Sequence, residues 1–288
     1  MLTLQRRRKL LPWLFLGPGL LWLIVFFAIP LANQLYLSLQ TGDPENGYVF
    51  DWNFGVYTEA VADYHEQFLR SVAYSATATI LCFVIAFPLA YFIAFKGGRF
   101  KNLMLLLVIL PFFVSYVLRT VSWQLILADN GWVVARLQDI GLLGADGRLL
   151  ASRTAVIAGI TYNFLPFMAL PLYVSLEKID RRLIEAATDL YASRAIAFRK
   201  VTLPLALPGI FAGSLLTFIP ATGDFINAAL LGTPRQFMIG NVIQSKFLVI
   251  QDYPTAAALS FILMAFILLG IFAYARVLGT RNLTEAAL

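Results

Sequence analysis

Apolar residues in this chain fall in long blocks, not in the alternation that marks a half-buried strand. Leu10–Gly42, Ser71–Phe95, Thr154–Leu176, Val201–Gly223 and Tyr253–Ala275 contain no Asp, Glu, Lys or Arg, and Asn102–Ala128 is interrupted only by Arg119. A helix that crosses a bilayer needs about 20 apolar residues. The pattern therefore predicts six transmembrane helices, near residues 11–36, 71–95, 102–127, 154–176, 205–230 and 255–276. The fold class expected is all-α, a polytopic membrane protein. Prolines recur inside the spans, at Pro30, Pro88, Pro111, Pro166, Pro171, Pro204, Pro208 and Pro220. Each removes a backbone donor and can kink a helix, which membrane bundles tolerate when neighbours satisfy the freed carbonyls.

Between the fourth and fifth spans the chain is polar but still periodic. Leu183, Ile184, Ala187, Leu190, Tyr191 and Ala195 recur at helical spacing, with charges on the other face. The pattern predicts an amphipathic helix over 182–199, ended by Pro204 and lying along the inner membrane face. Two readings fit it. It rests on lipid headgroups, or it docks a soluble partner, its alanines permitting close approach while Glu185 and Arg182 offer charged contacts.

Orientation follows from Lys and Arg in short loops. With the N-terminus inside, the inner segments hold fifteen of the 22 basic residues, and most of the acids fall outside. The net charge of +6 is thus a topology signal and not a nucleic-acid footprint. Arg6–Lys9 followed by an apolar run resemble the start of a signal peptide. The run is about twice the usual length and five more spans follow, so a retained anchor is expected. The chain reads as one transmembrane domain over 1–288. Within it lie an N-terminal anchor and long outer loop (1–69), a five-helix core (70–276) and the cytoplasmic loop (181–200).

Composition agrees: 60% of residues are hydrophobic and 13% charged, with a mean hydropathy of +0.77. Soluble domains run nearer 45–50% and 25%. One cysteine, Cys82, and one histidine, His65, argue against a disulfide or a metal cluster. No G-x-x-x-x-G-K-[ST] loop is present, so ATP is not bound by that route. A membrane enzyme would need a His/Glu/Asp cluster within the spans, and none appears in the sequence.

Two ionisable residues stand in or beside spans, Arg119 and Asp224. Such residues face a partner or a wet cavity. If its span is one straight helix, Arg119 stands about 26 Å from the inner end, where it can snorkel to the outer interface. Alternatively Arg119 and Asp224 pair, or Asp224 meets an arriving ammonium group, with Trp123, Tyr116, Tyr162 or Phe164 offering ring faces. The outer loop Thr41–Leu69 carries Asp43, Glu45, Asp51, Glu59, Asp63 and Glu66. It can attract a cation by its field, and it reads equally as a solvated loop or a docking face.

Glu185-Ala186-Ala187, then Leu190, Ala192, Phe198, Leu203-Pro204 and Leu207-Pro208-Gly209-Ile210 resemble the EAA loop of ABC-importer permeases. In that family the loop helix docks in a cleft of a cytoplasmic ATPase. The resemblance implies that Arg182, Glu185, Ala186, Ala187, Asp189, Leu190, Tyr191 and Ala192 form the coupling contact. The family usually has glycine where this chain has Tyr191, which implies a bulkier and more continuous helix here. Two further stretches are similar to the first of the two permease subunits in spermidine/putrescine importers. One is Leu110–Leu127 with Gly131 after it. The other is Phe218–Phe225, followed by Leu231-Gly232, Met238–Ile243 and Asp252-Tyr253-Pro254.

That resemblance implies the fold of a type I ABC-importer permease in a bacterial inner membrane, with both termini cytoplasmic. It implies a non-catalytic subunit forming half of the pathway for a small cationic solute, most simply a polyamine. Relatives that import iron, phosphonates, opines or thiamine share parts of the pattern and remain alternatives. The implied partners are a cytoplasmic ABC ATPase dimer, a second permease subunit, an extracytoplasmic solute-binding protein and the lipid bilayer, with no nucleic acid. No cofactor is expected on this chain; ATP and magnesium belong to the ATPase. Asp224, Trp123, Tyr116, Tyr162 and Arg119 are the expected substrate-path residues. A stand-alone secondary transporter is the competing class, against which six spans are few and no clear internal repeat is seen.

Overall fold

The computed structural model describes residues 15–144 and 147–278. The basic start Arg6–Lys9 and Arg281 lie outside the described residues. Helices dominate, as the apolar blocks require, since a backbone in lipid must satisfy its own hydrogen bonds. Among the described residues four helices are long and apolar enough to cross a membrane, and the number rises to six if two sharply bent pairs each count as one span.

The chain divides into two compact units, 1–63 with 243–264, and 64–242 with 265–288. In the first unit, α1 (Phe15–Ser38) is apolar on all sides, with Leu21, Trp22, Phe26 and Phe27 exposed. A helix of that kind has lipid as its natural surroundings. It carries a π-helical turn at Ile24–Ala28, just before Pro30, where the Ile29 amide reaches back to the Ile24 carbonyl. A hairpin follows, β1 (Gln40–Asp43) antiparallel to β2 (Gly47–Phe50), with Gln40 opposite Phe50 and Asp43 opposite Gly47. The Asp43 carboxylate closes its turn by accepting the Glu45 and Asn46 amides at 2.9 and 2.8 Å. Hydrogen bonds from Asn46, first from its side chain, hold that carboxyl below the usual range.

Helix α2 (Gly55–Lys96) starts far earlier than the uncharged run suggested. The expected outer loop over 41–69 is instead a hairpin and the first four turns of α2. Residues 55–70 carry charges, so a search for uncharged stretches passed over a segment whose alanines and glutamates favour helix.

The third expected span, 102–127, is not one helix. α3 (Lys101–Ile109) tightens into a 3-10 turn at Leu110–Phe113, and α4 (Tyr116–Leu127) leaves at 93°. Pro111 removes a backbone donor, and Val114 and Ser115 are extended, with ψ of 136° and 137°. The straight-helix estimate that put Arg119 at the outer interface is therefore withdrawn. After α5 (Trp132–Asp139), α6 (Arg153–Glu177) matches the fourth expected span and is started by Ser152, which accepts the Ala155 amide at 3.1 Å.

Helix α6 is the axis of the second unit. Val156, Ile160, Phe164, Met168, Leu172 and Leu176, four residues apart, are all buried. The polar loop then gives α7 (Arg181–Asp189) and α8 (Arg194–Leu205), and α9 (Leu207–Thr222) departs from α8 at 61°. Helix α9 packs along α6 at backbone contact. A Cβ at Gly209 would stand 2.5 Å from Ser175 Cβ and 2.6 Å from the Pro171 carbonyl, and one at Gly213 would stand 2.8 Å from Met168 Sδ. Small residues permit this approach where apolar side chains gain nothing by avoiding lipid. The fifth expected span, 205–230, is likewise split. α9 ends at Thr222, and Gly223–Phe225 lead into α10 (Ile226–Leu231). The described residues end with α11 (Ile239–Ile250), a left-handed residue at Gln251, and α12 (Tyr253–Leu278).

Candidate functional site

Two places in the second unit concentrate polar chemistry. The first is a buried knot of side chains where α4, α6 and α10 meet. Breaks in the helices create it, because the Val114–Ser115 turn aims the start of α4 inward and the Gly223–Phe225 turn brings Asp224 to the start of α10. Asp224 is 6% exposed and its carboxylate accepts four hydrogen bonds. Oδ1 takes the Ile226 and Asn227 amides at 2.9 and 3.2 Å, fixing the first turn of α10. Oδ2 takes the Tyr116 hydroxyl at 2.7 Å and the Asn227 side-chain amide. The same Asn227 amide donates to the Tyr116 oxygen at 2.6 Å. Asn163 of α6 completes the knot, donating at 3.2 Å to both Thr120 Oγ1 and Asn227 Oδ1. Burial is tolerable for most of these groups because they find partners, Asn163 Oδ1 being an exception among the described residues.

Asp224, Tyr116 and Arg119 are thus brought together, as the sequence suggested, but not in either of the simple ways considered. Among the described residues Arg119 and Asp224 form no ion pair, and Arg119 does not snorkel, being 7% exposed. Its guanidinium lies over the rings of Phe112 and Tyr116, at 5.6 and 5.7 Å from their centres. Trp123 and Tyr162 pair edge-to-face at 5.4 Å, and Phe164 lies against Tyr116 at 6.1 Å. Sequence reasoning missed Thr120, Asn163, Asn227 and Phe112. It searched for ionisable groups, whereas Asn163, the lone amide side chain in Thr154–Leu176, was itself a usable signal.

The second place is the elbow between α6 and α9. Asp180 caps α7 by accepting the Arg182 amide at 3.0 Å. The helix expected to run through 182–199 stops at Asp189 and restarts at Arg194. Tyr191 makes the stop. Its φ is +60°, the Tyr191 amide bonds the Thr188 carbonyl at 3.0 Å, and the Ala192 amide bonds the Ala187 carbonyl at 3.1 Å. This is a Schellman ending with tyrosine in the left-handed position usually given to glycine. The expectation of a more continuous helix is therefore corrected: the unpaired carbonyls at the end of α7 gain more from the turn than the tyrosine Cβ loses.

Arg182, Glu185, Ala186 and Asp189 are exposed along α7, Leu190 is 81% and Tyr191 99% exposed, and Ala187 and Ala192 are half-buried. The inner side of the elbow is tied to the bundle. Arg181 donates to the Ala94 and Phe95 carbonyls at the end of α2, at 3.3 and 3.1 Å. Phe198 meets the rings of Phe87 and Tyr91 at 5.6 and 6.2 Å. Beside the elbow an open groove of about 820 Å³ runs between α6 and α9, lined by Pro171, Lys178, Leu183 and Gly209 among others. The exposed face of the elbow is thus joined to the membrane helices by hydrogen bonds and ring contacts.

This combination, a bundle of broken apolar helices with an exposed loop helix tied to them, defines a polytopic membrane protein. Residues 86–279 match the family described as binding-protein-dependent transport system inner membrane component, and the chain belongs to that family. It is 40% identical over 256 residues to the spermidine/putrescine transport system permease protein PotB of Haemophilus influenzae, covering 88% of this chain and 90% of that one. It is 36% identical over 240 residues to PotB of Escherichia coli K12, covering 83% and 87%. The fold also matches a bacterial ABC transporter that imports alginate, with a TM-score of 0.71, 20% identity, and 94% and 96% of the two chains covered. The chain is therefore a transport permease component of the inner membrane, with the ABC-importer permease fold.

Proposed function

We propose that the chain forms half of the membrane pathway of an ATP-driven importer for a polyamine of the spermidine or putrescine type. The elbow carries the proposal: a capped helix presents Arg182, Glu185, Asp189, Leu190 and Tyr191 to the cytoplasm while Arg181 and Phe198 anchor it to α2. Similarity to two PotB permeases over more than four-fifths of the chain supports the solute class. The partners in this reading are a cytoplasmic ABC ATPase dimer, a second, PotC-like permease and an extracytoplasmic binding protein. ATP and magnesium are used by the ATPase alone, and both termini of this chain lie in the cytoplasm.

In this mechanism ATP binding closes the ATPase pair and pulls on α7. Arg181 and Phe198 pass the displacement to α2, and α9 moves with α6 because Gly209 and Gly213 leave no slack between them. The bundle then shifts between inward-open and outward-open states whose balance ATP biases. The breaks at Val114–Ser115 and Gly223–Phe225 are the places where the spans bend. Asp224, Tyr116, Trp123 and Tyr162 line the solute's route, a carboxylate and ring faces suited to passing ammonium groups.

The test is reconstitution with the three partners and an ATPase assay. Hydrolysis stimulated by spermidine or putrescine and abolished by Glu185→Arg is the expected result. Hydrolysis indifferent to polyamines moves the solute to another class. Transport in energised vesicles without any ATPase overturns the proposal.

A further inference from the structure

Arg119, expected from the sequence among the substrate-path residues, is the most unusual charge in the knot. It is 7% exposed, and its Nε and Nη1 have no hydrogen-bond partner. A buried cation without a carboxylate is held by whatever negative potential surrounds it. Here that potential comes from two ring faces, Phe112 and Tyr116, both within cation–π reach. Asp224 does not serve as its ion partner, because its oxygens already accept from Tyr116, from the Asn227 side chain and from two amides. Tyr116 links the two charges, turning its ring to Arg119 and donating its hydroxyl to Asp224.

Two ring faces beside a carboxylate are what an alkylammonium ion requires. In this chain a cation already lies there, and it is the chain's own. The two rings also stand on opposite sides of the 93° break, Phe112 before it and Tyr116 after it. Any change in that bend alters the spacing of the rings and hence the hold on the cation between them.

We propose that Arg119 is a tethered competitor: its guanidinium occupies the Phe112–Tyr116 ring site beside Asp224, and an alkylammonium group of the solute enters as the guanidinium leaves. Only the identity of the solute rests on the polyamine reading. Tethering gives the guanidinium a high effective concentration, so it refills the site after each passage. The consequences are weak retention of the solute, which favours release, and a positive charge that repels small inorganic cations between cycles.

The test uses the assembled complex in nanodiscs, without the binding protein, as wild type and Arg119→Ala. The probes are ethylguanidinium, ethylammonium and neutral ethylurea, read by thermal unfolding, and radiolabelled spermidine, read by direct binding. In Arg119→Ala both cations raise the unfolding midpoint and ethylurea does not, while wild type responds to none of them. Spermidine binds the variant about tenfold tighter, as expected when a two-ring competitor is lost, and ethylguanidinium reverses the gain. If Arg119→Ala does not assemble, Arg119→Lys serves; it keeps the charge but stacks less well and tightens spermidine binding by a smaller factor. A variant that binds spermidine no tighter and treats the cations like ethylurea overturns the inference. A wild-type complex that no polyamine stimulates overturns the polyamine reading instead, and the ethylammonium and ethylguanidinium response still decides whether Arg119 fills a cation site.

Discussion

Replacing Tyr191 by glycine removes a Cβ from a position where the backbone is left-handed, at φ +60°. For an L-residue with a side chain that conformation costs about 1–2 kcal/mol. Glycine adopts it freely, but its greater freedom in the open state returns about 0.5–1 kcal/mol. The side chain is 99% exposed, so no packing in the free permease offsets the change. Tyr191→Gly is therefore expected to stabilise the closed elbow by about 0.5–1 kcal/mol, or about two- to fivefold in the local opening equilibrium. Hydrogen exchange reads this directly, because the Tyr191 and Ala192 amides donate to the Thr188 and Ala187 carbonyls only while the turn is formed. Protection at both positions, corrected for intrinsic exchange rates, should rise by that factor. Tyr191→Val should lower it, since a β-branched residue tolerates positive φ least. If glycine lowers protection and valine leaves it unchanged, the turn is not held in the left-handed form and the account of the elbow fails.

Three further outcomes follow from the same geometry. Tyr116→Phe removes a donor to a buried carboxylate and an acceptor for Asn227, which should cost about 1.5–3 kcal/mol and appear as a lower unfolding temperature of the assembled complex. Gly209→Val places a Cβ 2.5 Å from Ser175 Cβ; overpacking of about 1–3 kcal/mol is expected, with loss of assembled complex on size exclusion while Gly270→Val, where a Cβ meets nothing, assembles normally. Asp252 begins α12 by accepting the Thr255 amide at 3.2 Å and pairs with Lys246 at 2.9 Å. Partial burial raises its carboxyl, but hydrogen bonds from Lys246 and Thr255 outweigh this, and the net pKa is lowered. A lowered folded pKa means stabilisation present above the unfolded value, near 4, and lost as pH falls through the folded one. Exchange at the first amides of α12 should accelerate below about pH 4 in wild type and lose that pH dependence in Asp252→Asn.

The sequence by itself determined the class of molecule. Blocks of about 20 apolar residues have no stable home but a bilayer or a large core, and the distribution of Lys and Arg predicts an orientation. It also marked the loop between α6 and α9, because helical periodicity among charges is a local property. Geometry set at a distance was not legible. Pro111 marked Leu110–Leu127 for a kink but not for a 93° break, because whether a proline kinks or ends a helix depends on what its neighbours satisfy. Tyr191 read as a helix continuer, since side-chain size is visible in a sequence and the demand of unpaired carbonyls at the end of α7 is not. Arg119 and Asp224 stood out as charges among apolar residues, yet their relation came from Tyr116, Asn163 and Asn227, contributed by three helices. Which polar groups meet across helices is decided only when the bundle closes, because most buried donors and acceptors must then find a partner.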